Sequence, residues 1–270
     1  AVGSVFKPVL AAAALEAGLD GLVADCPGYT AVDGQVFHCA SGAAHGTVDL
    51  AAALEKSCNG YFIRLGQALG AEAVLDAARA LGFGQRVRVA GRLQSAAGVL
   101  PEADLLAQPG QLANFSFGQG QLLATPLQVA AMMNAIAAGG VYRAPSFVLE
   151  AFDEATGETV ERYPQPAARR AVSEQTARRL QQLLAGGVDE GTGREAAPFC
   201  GSAAGKTGTA QTGQFTPEGE EKMNFWFAGF FPAEDPQYTV VVLQDGQTGP
   251  AQSSAAVFAQ VCQALWLLEQ

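Results

Sequence analysis

The chain has 270 residues, of which 49% are apolar and 16% charged, and it carries a formal net charge of −10. This length allows one large domain or two small ones with a substantial hydrophobic core. The acidic balance argues against binding to nucleic acid or to an anionic lipid surface, and the sequence shows no signal peptide and no membrane-spanning run.

The first predicted element is a helix close to the N-terminal end of the chain. Residues 3–10 read GSVFKPVL and continue into an alanine-rich run, which favours a helix. Pro8 suits the first turn, where a missing N–H costs nothing. Ser4 is therefore expected at the mouth of the helix, with Lys7 one turn further in. Both side chains should lie on one face, where the hydroxyl and the amine can share a hydrogen bond.

This Ser-x-x-Lys pair suggests a nucleophile and its base. A serine hydroxyl is a weak nucleophile until a neighbouring group takes its proton. Lys7 can act as that base only when neutral, which requires a pKa well below the usual value of about 10.4. The apolar neighbours and the positive end of the helix dipole both favour the neutral amine. Alone the motif is weak, because a helix cap followed by a surface lysine has the same pattern.

The five cysteines do not follow a metal-binding spacing. No C-x-x-C pair occurs, so a zinc or thioredoxin-like site is not expected, and no metal or cofactor is predicted. Cys26 and Cys39 flank a turn-rich segment and could form a disulfide in an oxidising compartment. The odd number of cysteines fits free buried thiols equally well. Residues 18–46 around them are predicted to form loops and short strands.

The middle of the chain is predicted to be mainly helical. Two helices meet at Ser57-Cys58-Asn59, where side chains can point into a cleft. Thr125 caps a later helix, with proline next and glutamine at the third helical position. The glycine- and proline-rich interval 82–120 is predicted to be irregular. The predicted helices cover residues 50–56, 61–69, 71–81, 126–138 and 174–185, and a β-hairpin covers residues 146–163.

Three strands and a closing helix are predicted for the C-terminal part. Residues 203–212, 224–231 and 238–244 alternate with turns, so an antiparallel meander is the simplest arrangement, and a helix follows over 253–268. The first strand carries Lys206-Thr207-Gly208-Thr209. The predicted fold is one α/β (α+β) domain over residues 1–270, in which helices flank an antiparallel sheet and a helical subdomain is added.

Three short motifs occur once each, in the order Ser4-x-x-Lys7, Ser57-x-Asn59 and Lys206-Thr207-Gly208. The ordered set is expected by chance in about one of several thousand chains of this composition. It resembles the set of the penicillin-recognising acyl-serine transferases, and most closely that of the transpeptidase domain of class B penicillin-binding proteins. Further segments that match this pattern are AHGTVDL (44–50), KSCNGYF (56–62), FGQG (117–120), TPLQ (125–128), GTG (191–193), AGKTGTA (204–210) and WFAGF (226–230).

The resemblance implies the fold shared by serine β-lactamases and penicillin-binding transpeptidases, together with roles for the first two motifs. Ser4 would attack the carbonyl carbon of the penultimate D-Ala in a D-Ala-D-Ala stem peptide, and Lys7 would be the base that activates it. Ser57 would relay a proton to the departing D-Ala amine. Asn59 would hold Lys7 and the substrate amide.

The third motif would hold the other end of the substrate. The resemblance implies that Lys206, with Thr207 and Thr209 on either side of Gly208, receives the terminal carboxylate. Backbone N–H groups of Ser4 and Thr209 would form the oxyanion hole. The amine of a second stem peptide would then attack the acyl-enzyme and form a cross-link. β-Lactams would mimic the substrate and leave Ser4 acylated.

The resemblance also implies a setting in the cell. Cell-wall synthesis proteins would be partners, and the site would work outside the cytoplasm, in a longer membrane-anchored parent chain. Relatives carry sheet strands before the Ser-x-x-Lys helix, and the sequence in hand starts without them and without an anchor. The strand over residues 238–243 is therefore expected to be an exposed apolar edge.

Rival functions remain open on the sequence. A serine β-lactamase needs a base for deacylation, and no convincing E-x-x-x-N pattern lies between Asn59 and Lys206, although Glu102 does. A β-lactam sensor and a non-catalytic scaffold are further alternatives. A nucleotide-binding loop is suggested by residues 201–207, but Cys200 holds the place of its first glycine, and the residues after 207 are a poor helix start.

Overall fold

In the computed structural model of the chain, which describes residues 1–90 and 93–270, the first helix lies in the hydrophobic core. A 3-10 turn (Gly3–Phe6) leads into helix α1 (Lys7–Ala17), and α1 is buried on all sides over residues 7–14. An apolar helix of this kind belongs in a protein interior. Pro8 lies in its first turn and Gly18, in the left-handed conformation, ends it, so the predicted first helix is confirmed.

The other helices follow the predicted order, with two differences. They are α2 (Leu50–Glu55), α3 (Asn59–Leu69), α4 (Ala71–Ala80), α5 (Ala103–Leu106), α6 (Pro109–Ser116), α7 (Pro126–Ala137), α8 (Glu174–Asp189) and α9 (Ser254–Leu268). Helices α5 and α6 lie in the interval 82–120 that was predicted to be irregular, and residues 91–92 of that interval are outside the described residues. The prediction was wrong there because Leu112 and Phe115 give α6 a buried apolar face.

Helix α8 is also longer than predicted. The pair Gly186-Gly187 was expected to end it, yet it continues to Asp189. A Cβ added at Gly187 would lie 3.2 Å from the carbonyl oxygen of Gly205. The glycine therefore allows α8 to lie close to a neighbouring strand, and it does not end the helix.

The strands form small antiparallel pairs and one larger sheet. Their bounds are β1 (Ala24–Cys26), β2 (Tyr29–Val32), β3 (Gln35–His38), β4 (Gly46–Val48), β5 (Arg88–Ala90), β6 (Leu93–Gln94), β7 (Val141–Tyr142), β8 (Glu150–Phe152), β9 (Thr159–Arg162), β10 (Arg169–Arg170), β11 (Ala204–Phe215), β12 (Glu221–Phe231) and β13 (Tyr238–Gln247). Strand β1 pairs with β4, β2 with β3, β5 with β6, β7 with β10, and β8 with β9. The predicted hairpin before α8 is the β8–β9 pair.

The larger sheet is the predicted antiparallel meander, in the order β11-β12-β13. Helices α7 and α9 pack on β12 and β13, and α8 packs on β11. Strand β13 is an edge of this sheet within the described residues. Residues 238–243 were predicted to form an exposed apolar edge, but their side chains are half-buried because the two helices pack on this strand. No helix in the described part of the chain is long and apolar enough to cross a membrane.

The 3-10 turn and strand β11 touch at the level of the backbone. A Cβ added at Gly208 would lie 2.8 Å from the carbonyl oxygen of Val2 and 3.1 Å from the backbone nitrogen of Val5. Gly3, at φ +57°, is equally tight, since a Cβ there would lie 2.3 Å from the carbonyl oxygen of Thr209. These two glycines let the strand lie directly beside Ser4.

We expect the Gly208→Ala change to destabilise the fold. The added methyl group meets backbone atoms that cannot move independently, and overpacking of this kind costs about 1–3 kcal/mol. The free energy of unfolding, measured by urea titration, should fall by that amount. The matched control is Gly249→Ala, because nothing lies within 4 Å of a Cβ at that position. Equal losses in the two variants would contradict the close contact.

Candidate active site

The residues of all three motifs surround one cleft of about 780 Å³. Ser4 lies in the 3-10 turn, Ser57 and Asn59 at the joint between α2 and α3, and Thr207 on β11, and all four line the cleft. Gly208 and Thr209 continue the β11 wall. The two motif lysines, Lys7 and Lys206, are buried beneath this surface. The structure thus brings together all eight residues singled out in the sequence.

Lys7 has no exposed surface, and its amine is bound to the α2–α3 joint. Its Nζ donates to the carbonyl oxygen of Ser57 at 2.6 Å and to Oδ1 of Asn59 at 2.7 Å, and it lies 3.2 Å from Ser57 Oγ. The Phe62 ring lies on another side, 5.4 Å from Nζ to the ring centroid. Burial lowers the pKa of Lys7 from 10.5 to about 7, against a smaller raising effect of three nearby thiols.

A neutral amine has two protons to donate and one lone pair. The two N–H groups donate to the carbonyl oxygen of Ser57 and to the amide oxygen of Asn59. The lone pair is then free to accept a proton from a hydroxyl group. This is the arrangement that a lysine base requires.

The hydrogen bond expected between Ser4 and Lys7 is absent. Among the residues that the structure describes, Ser4 Oγ has no hydrogen-bond partner, and Lys7 Nζ is bound to the α2–α3 joint. The expectation was wrong because the amine donates instead to the carbonyl oxygen of Ser57 and to Asn59 Oδ1, two acceptors far from Lys7 in the sequence. The Ser4 hydroxyl remains at the cleft surface.

The backbone at Ser57 is strained. Ser57 has φ +53°, in the left-handed region that most non-glycine residues avoid. Its N–H bonds the carbonyl oxygen of Leu54, and the N–H of Cys58 bonds that of Ala53, which is the Schellman pattern that usually places glycine at this position. In this backbone conformation, both the carbonyl group and the hydroxyl group of Ser57 face Lys7.

Asn59 is oriented from its other side by the loop after β3. Its Nδ2 donates to the carbonyl oxygen of His38 at 2.9 Å, which leaves Oδ1 to accept from Lys7. The two bonds together determine which end of the amide faces the amine. The joint, the amine and the segment at His38 therefore form one connected network.

Lys206 is the second buried amine. Its Nζ donates to the carbonyl oxygen and to Oγ1 of Thr207, at 3.2 and 3.3 Å. Burial, and then the charge of Lys7, hold the pKa of Lys206 well below its usual value. Thr207 Oγ1 also lies 2.8 Å from Oγ1 of Thr192. Thr192 was given no role from the sequence, although it lies in the quoted GTG segment and lines the cleft.

The cleft is free of acidic side chains within the described part of the chain. The residues that line it include Lys56 and His38 but no aspartate or glutamate. Glu102, noted in the sequence, precedes α5 as an exposed residue outside the cleft. A groove of about 900 Å³ between the end of α1 and the start of α8 contains none of the motif residues.

Three thiols and an imidazole meet directly behind the joint. The Sγ atoms of Cys26, Cys39 and Cys58 and a ring nitrogen of His45 all lie within 4.8 Å of one another. No pair of cysteines lies close together in the chain, so the sequence carries no spacing typical of a metal ligand set. These four residues come from four separate segments, and the available signal was Cys58 inside the Ser57-x-Asn59 motif.

Nearly the whole chain matches one known protein family. The family model described as "Penicillin binding protein transpeptidase domain" matches residues 1–263. Stage V sporulation protein D of Bacillus subtilis is 34% identical over 263 residues, which cover 96% of this chain and 40% of that protein. Peptidoglycan D,D-transpeptidase PbpA of Mycobacterium tuberculosis is 35% identical over 255 residues, covering 89% of this chain and 49% of that one.

Solved structures agree with the sequence comparison. The crystal structure of penicillin-binding protein 3 from Mycobacterium tuberculosis, complexed with aztreonam, superposes with a TM-score of 0.84 at 32% identity. The match covers 99% of this chain and 62% of that one. The predicted fold class is therefore confirmed. The chain spans less than half the length of the two curated relatives named above.

The strain at Ser57 can be tested with two substitutions. Both Ser57→Gly and Ser57→Ala remove the hydroxyl group, but only glycine adopts the left-handed conformation without cost. We expect Ser57→Gly to be more stable than Ser57→Ala by about 1 kcal/mol, measured by urea unfolding.

The same pair at Ser202, which does not have a positive φ, is the control. There the glycine variant should be no more stable than the alanine variant. An equal preference for glycine at both sites would contradict strain at Ser57.

Proposed function

This chain belongs to the family of penicillin-binding protein transpeptidase domains, and we propose that it is a serine D,D-transpeptidase that cross-links peptidoglycan stem peptides through an acyl-enzyme on Ser4. The observation that carries the proposal is the buried Lys7 amine, whose pKa is lowered to about 7 and which donates to the carbonyl oxygen of Ser57 and the amide oxygen of Asn59. Relatives named peptidoglycan D,D-transpeptidases support the choice of reaction.

Acylation starts at the Ser4 hydroxyl. Its proton passes to the neutral amine of Lys7 as Oγ attacks the carbonyl carbon of the penultimate D-Ala. The C–N bond to the terminal D-Ala breaks, and Ser57 relays a proton to the leaving amine. Ser57 suits this role because its Oγ lies 3.2 Å from Lys7 Nζ at the cleft surface.

The developing oxyanion is stabilised by backbone N–H groups. We assign this role to the N–H of Ser4, in the 3-10 turn that starts the helix, and to the N–H of Thr209 on β11. The turn and the strand are in direct backbone contact through Gly3 and Gly208, so the two donors are on rigid supports. Donors fixed before the reaction stabilise a transition state without reorganising.

The third motif receives the terminal carboxylate of the stem peptide. An approaching carboxylate favours the charged form of the Lys206 amine, and the hydroxyl groups of Thr207 and Thr209 complete the site. The Thr192 hydroxyl supports Thr207 at 2.8 Å. An extended peptide can lie along β11, as peptides do when they add to the edge of a sheet.

A β-lactamase is disfavoured by the cleft itself. Hydrolysis of an acyl-enzyme needs a base for the attacking water, and no acidic side chain lines the cleft in the described residues. A nucleotide-binding loop is contradicted, because residues 204–215 form strand β11, whereas a phosphate-binding loop must open a helix.

The setting in the cell follows from the proposed substrate. Peptidoglycan places the reaction outside the cytoplasm, in the cell envelope. We propose that a membrane anchor elsewhere in a longer parent chain and cell-wall synthesis proteins hold the domain beside its substrate. β-Lactams act as inhibitors by acylating Ser4, in keeping with the aztreonam complex of the similar structure.

We expect a fluorescent penicillin to label the chain at one residue, Ser4, and the adduct to last for hours. Labelling should be lost in Ser4→Ala and kept in the control Ser202→Ala, which lies outside the cleft. Intact-mass spectrometry checks both the site and the persistence.

The outcomes separate the rival functions. Labelling of Ser4→Ala would overturn the assigned nucleophile, and fast loss of the adduct would favour a β-lactamase. No labelling of the wild-type chain would favour a scaffold. A lasting adduct without any cross-linked product from stem peptides would favour a sensor.

The rate of acylation should depend on the protonation of Lys7. A pKa lowered to about 7 leaves the amine charged below that pH and neutral above it. The second-order rate constant for penicillin acylation should therefore rise about tenfold between pH 6 and pH 8 and then level off. Stopped-flow fluorescence measures it, with penicillin stability checked at each pH. A rate that keeps rising toward pH 10 would contradict the lowered pKa.

A further inference from the structure

The cluster of Cys26, Cys39, His45 and Cys58 is not needed for the acyl transfer described above. Its cysteines are almost completely buried, while His45 is half-buried. We propose that these four residues form a structural zinc site that holds the active-site joint in place. The proposal concerns metal binding, and it stands or falls separately from the proposed reaction.

The distances within the cluster fit a tetrahedral ion. Zinc with bonds of about 2.3 Å to sulfur and about 2.0 Å to nitrogen requires ligand atoms about 3.8 Å apart for two sulfurs and about 3.6 Å for sulfur and nitrogen. The Sγ atoms of Cys26 and Cys39 are 3.5 Å apart, and those of Cys39 and Cys58 are 4.0 Å apart. Cys26 Sγ lies 3.6 Å from Nδ1 of His45. The spacing of the ligand atoms therefore suits one tetrahedral ion.

The donor set selects the metal. Three cysteines and one histidine are a common zinc combination, whereas magnesium and calcium require oxygen ligands. Binding converts three thiols to thiolates and releases up to three protons. His45 is the one ligand of the four that is not fully buried.

The helix that follows Cys58 also favours a thiolate there. Cys58 is the N-cap residue of α3, and its Sγ accepts the backbone N–H of Tyr61 at 3.4 Å. Helix N-terminal positions prefer oxygen side chains and negative charge. A cysteine with a neutral thiol fits this position poorly, and a metal-bound thiolate fits it well.

The site would connect the small strands to the catalytic joint. Cys26 ends β1, His45 precedes β4, and the N–H of His45 bonds the carbonyl oxygen of Cys26 at 2.9 Å. Cys39 follows His38, whose carbonyl oxygen holds Asn59. Cys58 lies between Ser57 and Asn59. An ion bound by all four would therefore hold the groups that orient the Lys7 amine, and we regard its ligands as positioning residues.

Zinc content of the reduced 270-residue chain tests the site directly. After dialysis against metal-free buffer, inductively coupled plasma mass spectrometry should find about one zinc ion per chain, and competition with a chelator should give a Kd below about 50 nM. Loading with Co²⁺ should produce the visible absorption of a tetrahedral thiolate site. Removing zinc should lower the melting temperature, and Zn²⁺ but not Mg²⁺ should restore it.

Variants separate the four ligands from the other thiols. Cys58→Ser and His45→Gln should weaken zinc binding more than about 100-fold, since even groups that only orient a ligand contribute 10- to 100-fold. His45→Gln changes a half-buried side chain, so it tests the site even where a buried cysteine variant fails to fold. Cys200→Ser, a thiol outside the cluster, is the control and should keep full zinc content. Ser4→Ala should also keep its zinc, which separates this result from the catalytic proposal.

Two results would overturn the proposal. One is that reduced, folded protein binds no zinc at micromolar Zn²⁺. Equal loss of zinc from the Cys200→Ser and His45→Gln variants would count in the same way. The other is an as-isolated chain without zinc whose mass is lower by two hydrogens. Peptide mapping of a Cys26–Cys39 bond would then assign the pair to a disulfide, the alternative that the sequence left open.

Discussion

The buried amine of Lys7 is the interaction on which the site depends. An ammonium ion without a carboxylate partner is costly to keep in a protein interior, so burial there favours the neutral amine. Lowering the pKa from 10.5 to about 7 corresponds to about 5 kcal/mol between the two protonation states. This energy comes from the packing of α1, which is buried on all sides. The core around α1 therefore does more than stabilise the fold, because it lowers the pKa of the amine that we propose as the base.

The same burial requires acceptors for the amine protons, and the α2–α3 joint supplies them. Ser57 provides its carbonyl oxygen from a left-handed conformation that costs about 1–2 kcal/mol for a residue other than glycine. Glycine would relieve that strain, but it would also remove the hydroxyl group that lies 3.2 Å from the amine. Local stability thus favours glycine at position 57, whereas the proposed chemistry of the cleft requires a hydroxyl group, which serine provides.

Much of the fold and site could be predicted from local sequence patterns, because those features depend on residues that are close together in the chain. The alanine-rich run after Ser4, the break at Ser57-Cys58-Asn59 and the alternating strand at Lys206 all depend on neighbouring residues. What could not be predicted depends on contacts between distant residues. Lys7 binds residues 50 and 52 positions away rather than Ser4. Helix α8 continues through Gly186-Gly187 to Asp189. Gly187 serves close packing against the neighbouring strand and does not end the helix.

The thiol cluster illustrates this limit and also explains the joint. Its four residues, spread over positions 26–58, come within 4.8 Å of one another in a fold where β1 pairs with β4 and α2 ends at the joint. No spacing rule for adjacent cysteines detects such a set. Once it is formed, the segment Ser57-Cys58-Asn59 is held from two sides, by the Lys7 amine on one and by the sulfur atoms on the other. A short joint between two helices can keep a strained conformation only if its surroundings hold it there. Here the side chains alternate, because residues 57 and 59 face the amine while residue 58 faces the cluster, so each side of the joint has its own support.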